Sequence, residues 1–319
     1  MNLKTVHRLN LILACSILLS CTKEDLSECP PQLLLKYEHN MEDEVIDFVD
    51  LYVFDKQDQF IELKQVDIPT MSENYKIDVP QYYKGKTLVV WAGERRGSYT
   101  TPKLNAGDNI DLLTLELITK DNISTQKLAN LFHGGREIMT FDNINKAHSI
   151  YLTRTDNMID LSLKNEQNKG IEIEGKYDIK LTAGNGRYSN DHTIIPNSPS
   201  ITYMPTNYVL NTKQETKTET KRAHLHTLRL HELYNKEVKL TIYNRELEQY
   251  ITFGGEQELK LIEYLLKTKP NEISNQAYLD NKSKWDISFT IDKDTSENKD
   301  IALSITINGW VISFNNIEL

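Results

Sequence analysis

The chain has 319 residues, 46 acidic and 37 basic, for a formal net charge of −9. That balance excludes nucleic-acid binding, which needs a basic face, and electrostatic docking to an anionic membrane. The length suits two domains of ordinary size, and an apolar share of 39% suffices for compact cores.

Residues 1–20 read as a signal peptide. Lys4 and Arg8 give a positive start with no acidic residue, and Leu9 to Leu19 is an apolar run. The run is too short for a bilayer-spanning helix, which takes about 20 residues. Leu18-Leu19-Ser20-Cys21 resembles the bacterial lipobox, with cleavage between Ser20 and Cys21. In signals of that kind the cysteine thiol receives a diacylglyceryl group and the freed amine is acylated by a palmitate-type chain. Each buried CH₂ contributes ~0.8 kcal/mol, so two or three acyl chains hold a protein to a membrane. The competing reading is an ordinary secretory signal with a chance cysteine. Lys23, Glu24 and Asp25 look like the surface-export signal of Bacteroidetes lipoproteins, against the alternative of a solvated linker. Together these features predict an outer-membrane lipoprotein that faces the cell surface. Cys15 leaves with the leader and Cys21 is lipidated, so Cys29 stands alone and no intramolecular disulfide forms.

Residues 21–31 read as a lipidated tether closed by Pro30-Pro31. Strands then follow in quick succession. Gln32–His39 is the first. In Phe48–Asp55, Val49, Leu51 and Val53 share one face while Phe48, Tyr52 and Phe54 share the other, which predicts a central strand. The polar turn Asp55 to Asp58 leads into Phe60–Val66, a hairpin. Tyr75–Val79, Thr87–Ala92, Asp111–Leu117 and Ser149–Leu152 are further strands. Gln126–Phe132 reads as at most a short helix ended by Gly134-Gly135. Asn157–Lys164 begins a second series that continues through Lys176–Ala183, Ile201–Asn207, Ala223–Leu230, Glu237–Asn244, Trp285–Ile291, Ile301–Ile307 and Trp310–Ile317. Lys213–Lys221, charged and free of apolar residues, reads as an exposed loop. One helix is expected near Gln257–Lys267, where Leu261 and Leu265, and Ile262 and Leu266, repeat at i, i+4. Short strands with few helices predict an all-β protein of two tandem β-sandwich domains, residues 32–155 and 156–319, with one short helix in the second.

Little catalytic chemistry is written in the chain. His224, His226 and His231 are the best metal candidates. They lack nearby cysteines and share a face only as a pair, so they read as solvent-facing strand histidines. Gly184-Asn185-Gly186 reads as a hairpin turn rather than a phosphate cradle. No nucleophile elbow appears. Trp91, Trp285 and Trp310 offer a sugar-stacking platform on one reading and core packing on the other, with packing favoured by their apolar strands. No catalytic, metal or cofactor-binding residue is expected, and the protein does not read as an enzyme.

Several segments, taken in order, resemble the fimbrillin-A-associated anchor family, the FimB/Mfa-type lipoproteins of Bacteroidetes type V fimbriae. They are Cys21 with Cys29-Pro30, Val49-Asp-Leu-Tyr-Val-Phe-Asp55 leading to Phe60, and Leu131-Phe-His-Gly134. They continue with Ile150-Tyr-Leu-Thr-Arg154 running into Asn157–Leu163, Tyr278-Leu-Asp280 before Trp285, and Ile305-Thr-Ile-Asn-Gly-Trp310. The resemblance implies transthyretin-like sandwiches and a lipid-anchored fimbrial anchor or assembly subunit. Its partners would be fimbrillin or other fimbrial subunits, with the outer membrane held through acyl chains. It implies neither activity nor cofactor. In such fibres a polymerising subunit loses its first strand to an arginine-specific protease and receives a neighbour's strand. Here the first arginine after Cys21 is Arg95, so no such cut removes the first strand alone. The second reading is a surface glycan- or host-binding adhesin on the same fold. Trp310–Leu319 is either the last sandwich strand or a strand offered to a partner.

Overall fold

The computed structural model describes residues 30–37, 46–68, 75–95, 97–141, 147–167, 169–213, 218–294 and 298–314. In chain order the strands before residue 155 are β1 (Gln32–Tyr37), β2 (Phe48–Phe54), β3 (Phe60–Asp67), β4 (Tyr75–Asp78), β5 (Thr87–Gly93), β6 (Tyr99–Thr100), β7 (Thr114–Leu117), β8 (Ile123–Ser124), β9 (Leu131–Ile138) and β10 (Ala147–Arg154). After it come β11 (Asp156–Asn165), β12 (Tyr177–Ala183), β13 (Arg187–Ser189), β14 (Ile201–Tyr203), β15 (Asn207–Lys213), β16 (Thr218–Leu228), β17 (Lys239–Asn244), β18 (Gln249–Tyr250), β19 (Thr252–Phe253), β20 (Leu259–Lys260), β21 (Lys284–Asp294), β22 (Lys299–Ile307) and β23 (Trp310–Ser313). Two short helices, Leu261–Lys267 and Asn275–Asp280, interrupt the second half. The protein is all-β, as its alternating patterns predict.

One sheet runs β3-β2-β5-β9-β10-β1-β4 and a second β15-β16-β11-β21-β22-β19, with β23 beside β22. A third runs β18-β17-β12-β14-β8, and a small one β13-β7-β6. The last two are shared along the chain: β7 pairs with β13, and β8 with β14.

β2 shows why the first sheet is buried on both faces. Val49, Leu51 and Val53 join Leu33, Leu35, Leu88 and Val90 in one core. Phe48, Tyr52 and Phe54 enter the other, with Trp91, Leu161, Tyr188 and Trp285. A strand with apolar residues at every position but one has no solvent face to offer, and β2 lies between β3 and β5. The Asp55 to Asp58 hairpin forms as its sequence requires. Asp55 Oδ1 accepts the Gln57 and Gln59 amides, and Asp58 takes φ 58°.

The two halves meet at a hydrogen-bonded junction. Thr155 is fully buried; its amide donates to Leu131 O at 2.8 Å and its carbonyl accepts Arg229 N at 2.6 Å. On either side, Arg154 and Asp156 form a buried ion pair at 2.9 Å.

Several elements differ from the pattern reading. No helix forms at 126–132; Leu131 onward is β9. Gly134 lies inside that strand because a Cβ there would stand 2.6 Å from Ile150 Cγ2 and 2.8 Å from Val90 Cβ. Gly135, at φ 72°, makes a bulge opposite the Val89 to Trp91 register shift. Gly184 to Gly186 is no hairpin turn: β12 and β13 lie in different sheets. Asn185 is buried there, donating to Leu228 O and Arg229 O and accepting from Tyr203 Oη. The Lys213–Lys221 stretch is not wholly loop, since β15 runs to Lys213 and β16 starts at Thr218; residues 214–217 lie outside the described residues. The expected single helix is shorter, because Leu259–Lys260 pairs with β17. The second, capped by the Ser274 side chain accepting Ala277 N, went unpredicted.

Candidate functional site

The first strand is an inner member of its sheet. β1 runs parallel to β10, from Gln32 opposite Ala147 to Tyr37 opposite Leu152, and antiparallel to β4. Leu33 and Leu35 are fully buried. Their burial contributes about 2–3 kcal/mol each. Tyr37 packs edge-on to Phe132 at 5.9 Å between ring centroids, and Lys36 lies 5.6 Å from the Tyr151 ring. The slot for a first strand is thus filled by the chain's own residues 32–37.

A second cluster fills the seam between the first sheet and residues 187–194. Trp91 on β5 packs at a tilt of 53° against its cross-strand neighbour His133, 4.4 Å between centroids, and His133 lies 4.8 Å from His192. The Gly135 amide donates to His133 Nδ1 at 3.1 Å, so the ring proton sits on Nε2, which donates to Asn190 O at 2.9 Å. Burial pushes the His133 pKa down to about 4. His192, in a turn at φ 65°, is also pushed well down, by burial and then by the Arg229 charge. Arg229 grips both oxygens of Asp280 at 2.6 Å and donates to His192 O at 2.6 Å. This cluster joins the halves and holds no water-exposed reactive group.

A cleft of about 240 Å³ opens on the same side of the first sheet. Its lining includes Asp50, Glu94, Arg95 and residues 97–101, above the nearly buried side chains of Phe48, Tyr52 and Trp91. Trp91 is 2% exposed, and its indole Nε1–H has no hydrogen-bond partner in the protein. Tyr52 Oη and Thr101 Oγ1 are hydrogen-bonded at 3.0 Å. Burial raises the Asp50 pKa, against the lowering pull of a Gln65 hydrogen bond and the Arg95 charge. Arg95 stands over the Phe48 ring at 4.8 Å and pairs with Asp67 at 3.2 Å and Asp50 at 3.7 Å.

The predicted lipidation residue Cys21, its cleavage partner Ser20, and Lys23, Glu24 and Asp25 lie outside the described residues. The strand histidines are not solvent-facing. His226 and His231 are buried, and His224 Nδ1 lies 2.5 Å from Asp160 Oδ1. Flanking strands on the same sheet face cover residues that a lone strand would expose. Among the described residues no group of three or more metal-ligand types converges. Trp91 and Trp285 pack in the core, but Trp310 is 68% exposed on β23, beyond the Asn308-Gly309 turn. β23 pairs along β22 as a domestic strand; residues 315–319 lie outside the described residues. The cleft escaped sequence reading because its lining comes from separate strands.

A family model described as fimbrillin-A associated anchor proteins Mfa1 and Mfa2 matches residues 26–316. No curated protein matches the sequence. Among solved structures, a candidate adhesin from Bacteroides thetaiotaomicron is 21% identical, covering 91% of this chain and 100% of its own, with a TM-score of 0.74. A candidate polysaccharide-binding protein from the same species is 22% identical over 92% of this chain and 100% of its own, with a TM-score of 0.72. The fimbrial anchor protein Mfa2 from Porphyromonas gingivalis is 16% identical over 89% of this chain and 99% of its own, with a TM-score of 0.64. These likenesses show a shared fold.

Proposed function

The chain belongs to the family of fimbrillin-A associated anchor proteins, and on that premise we propose that it is a lipid-anchored subunit that attaches a fimbria to the outer membrane. Acyl chains on Cys21 supply the membrane hold. Residues 21–31 act as a tether, and Lys23, Glu24 and Asp25 direct the protein to the cell surface. Units 32–155 and 156–319 project outward to a fimbrial subunit, reached by strand-mediated contact.

The observation that carries this reading is the seated first strand. β1 is bonded on both sides. The sequence holds no arginine between Cys21 and Arg95 at which a protease could free it. A stalk subunit must empty its slot to accept a neighbour, whereas a terminal subunit keeps its slot filled and keeps its lipid. The adjoining seam, with Thr155 bonded through both backbone groups, suits a body that transmits force between lipid and fibre.

Two experiments test this. Cys21→Ala is expected to move essentially all of the protein from the membrane to the soluble fraction; retention in the membrane would remove the lipid from the account. An arginine-specific protease applied to the native mature protein is expected to leave residues 22–48 joined to the body. Mass spectrometry showing a native cut within that segment would end the retained-strand reading.

A further inference from the structure

We propose that the outer edge of β15 docks a second copy of this chain, strand against antiparallel strand, about a two-fold axis through Leu210. This docking is independent of the anchor reading.

β15 ends its sheet, with β16 as its one neighbour. Hydrogen bonding in an antiparallel ladder alternates residue by residue. The Arg229 amide donates to Thr155 O, in phase with the register that sets Asp156 opposite Leu228. That phase turns the odd-numbered residues of β16 towards β11 and the even-numbered ones towards β15. On β15 the odd-numbered residues, from Asn207 to Lys213, then bond to β16. The backbone N–H and C=O groups of Tyr208, Leu210 and Thr212 therefore face outward.

The outer part of this hairpin also lacks a third strand. The register between β11 and β16 stops at Ala223, so residues 209–213 and 218–222 pair only with each other. A two-stranded ribbon is marginally stable in water, and three or more strands are needed to hold it. The other long edge, β3, is guarded: Glu62 accepts from Tyr82 Oη, and Lys64 donates to Asp78 O. β15 carries no proline, its one charged residue is Lys213 at the end, and Val209 is 41% exposed.

Two observations select a second copy over an unrelated strand. Antiparallel pairing about Leu210 sets Tyr208 opposite Thr212 and Lys213 opposite Asn207 of the other copy. Each outward backbone group then meets an outward group, and no like charges face each other. Charge acts in the same direction. Lys213, Lys217, Lys221 and Arg222 outnumber Glu215 and Glu219 on the arm, while the whole chain carries −9. A basic arm is drawn to the acidic body of the other copy.

The test is sedimentation velocity on the mature chain, freed of lipid by Cys21→Ala, from about 1 to about 100 µM. A dimer is expected to form as concentration rises, and hydrogen exchange read by mass spectrometry is expected to slow across residues 207–213. Leu210→Pro removes one outward N–H and leaves the bonds between β15 and β16 in place. It is expected to weaken the dimer about tenfold or more, with the circular dichroism unchanged. Leu210→Lys and Leu210→Glu each set like charges opposite one another on the axis. Each variant is expected to stay monomeric alone, and the two are expected to dimerise when mixed. A parent chain that is monomeric throughout overturns the proposal. So does a dimer that Leu210→Pro leaves intact, or a failure of the two charged variants to associate.

Discussion

A variant carrying Leu33→Asp and Leu35→Asp will fail to seat β1 and will lose most or all of its folding stability. Each leucine is fully buried between β10 and β4. Truncating such a side chain costs about 2–5 kcal/mol, and an unpaired carboxylate in its place adds a desolvation cost. Two such changes together reach the roughly 5–15 kcal/mol that holds an ordinary domain folded. Denaturant unfolding measures the loss, and Lys36→Ala on the same strand serves as the control. Lys36 reaches outward over the Tyr151 ring, so its removal should cost under about 1 kcal/mol. A double variant that unfolds within about 2 kcal/mol of the parent would show that β1 is dispensable, and the filled-slot argument would fall with it.

The second large effect is acid weakening of the seam. His133 is neutral in the fold, with Nδ1 accepting from Gly135 and Nε2 donating to Asn190. Adding a proton at Nδ1 would set two N–H groups head to head. Its pKa in the fold is about 4, against about 6.5 in the unfolded chain. Below pH 6.5 the unfolded chain therefore takes up a proton that the folded chain refuses. Stability falls by about 1.4 kcal/mol per pH unit from this group until the folded pKa is reached, then levels off. His133 alone removes about 3 kcal/mol between about pH 6.5 and 4. His192, 4.8 Å away, shifts in the same direction and adds to the loss. The charged groups around the pair are Arg229, which disfavours both protonations, and Asp191, which favours that of His133; His231 disfavours that of His192. Urea midpoints at about pH 7 and about pH 4.5 check the prediction, with His133→Gln flattening the dependence. Equal midpoints for the parent protein would rule out a buried neutral pair.

The strands were legible where one residue pattern fixed both faces. Phe48–Phe54 announced a central strand because its apolar residues occupy both sets of alternate positions, and both cores receive them. The hairpin at Asp55 to Asp58 was legible because turn chemistry is local. β9 was misread because Gly134 serves a contact with Ile150 and Val90, a distant demand that looks in sequence like a helix stop. β15 and β16 were hidden for the opposite reason. Their outer ends carry no apolar alternation, and the pairing itself, Lys213 to Thr218, defines them. The His133 and His192 contact joins residues far apart in the chain, and nothing local marks either as buried.

The direction of β1 has a mechanical consequence. The chain comes into the first sheet at Gln32, beside the start of β10, and leaves for the second half from the far end of β10, at Arg154. A pull along β1 from its N-terminal side is met by six register pairs on β10 and four on β4, stretched together in shear. An edge hairpin under the same pull would open one rung at a time. The fold thus behaves as a latch at the N-terminal end of β1, and single-molecule pulling through residue 30 should find this strand the last to yield rather than the first.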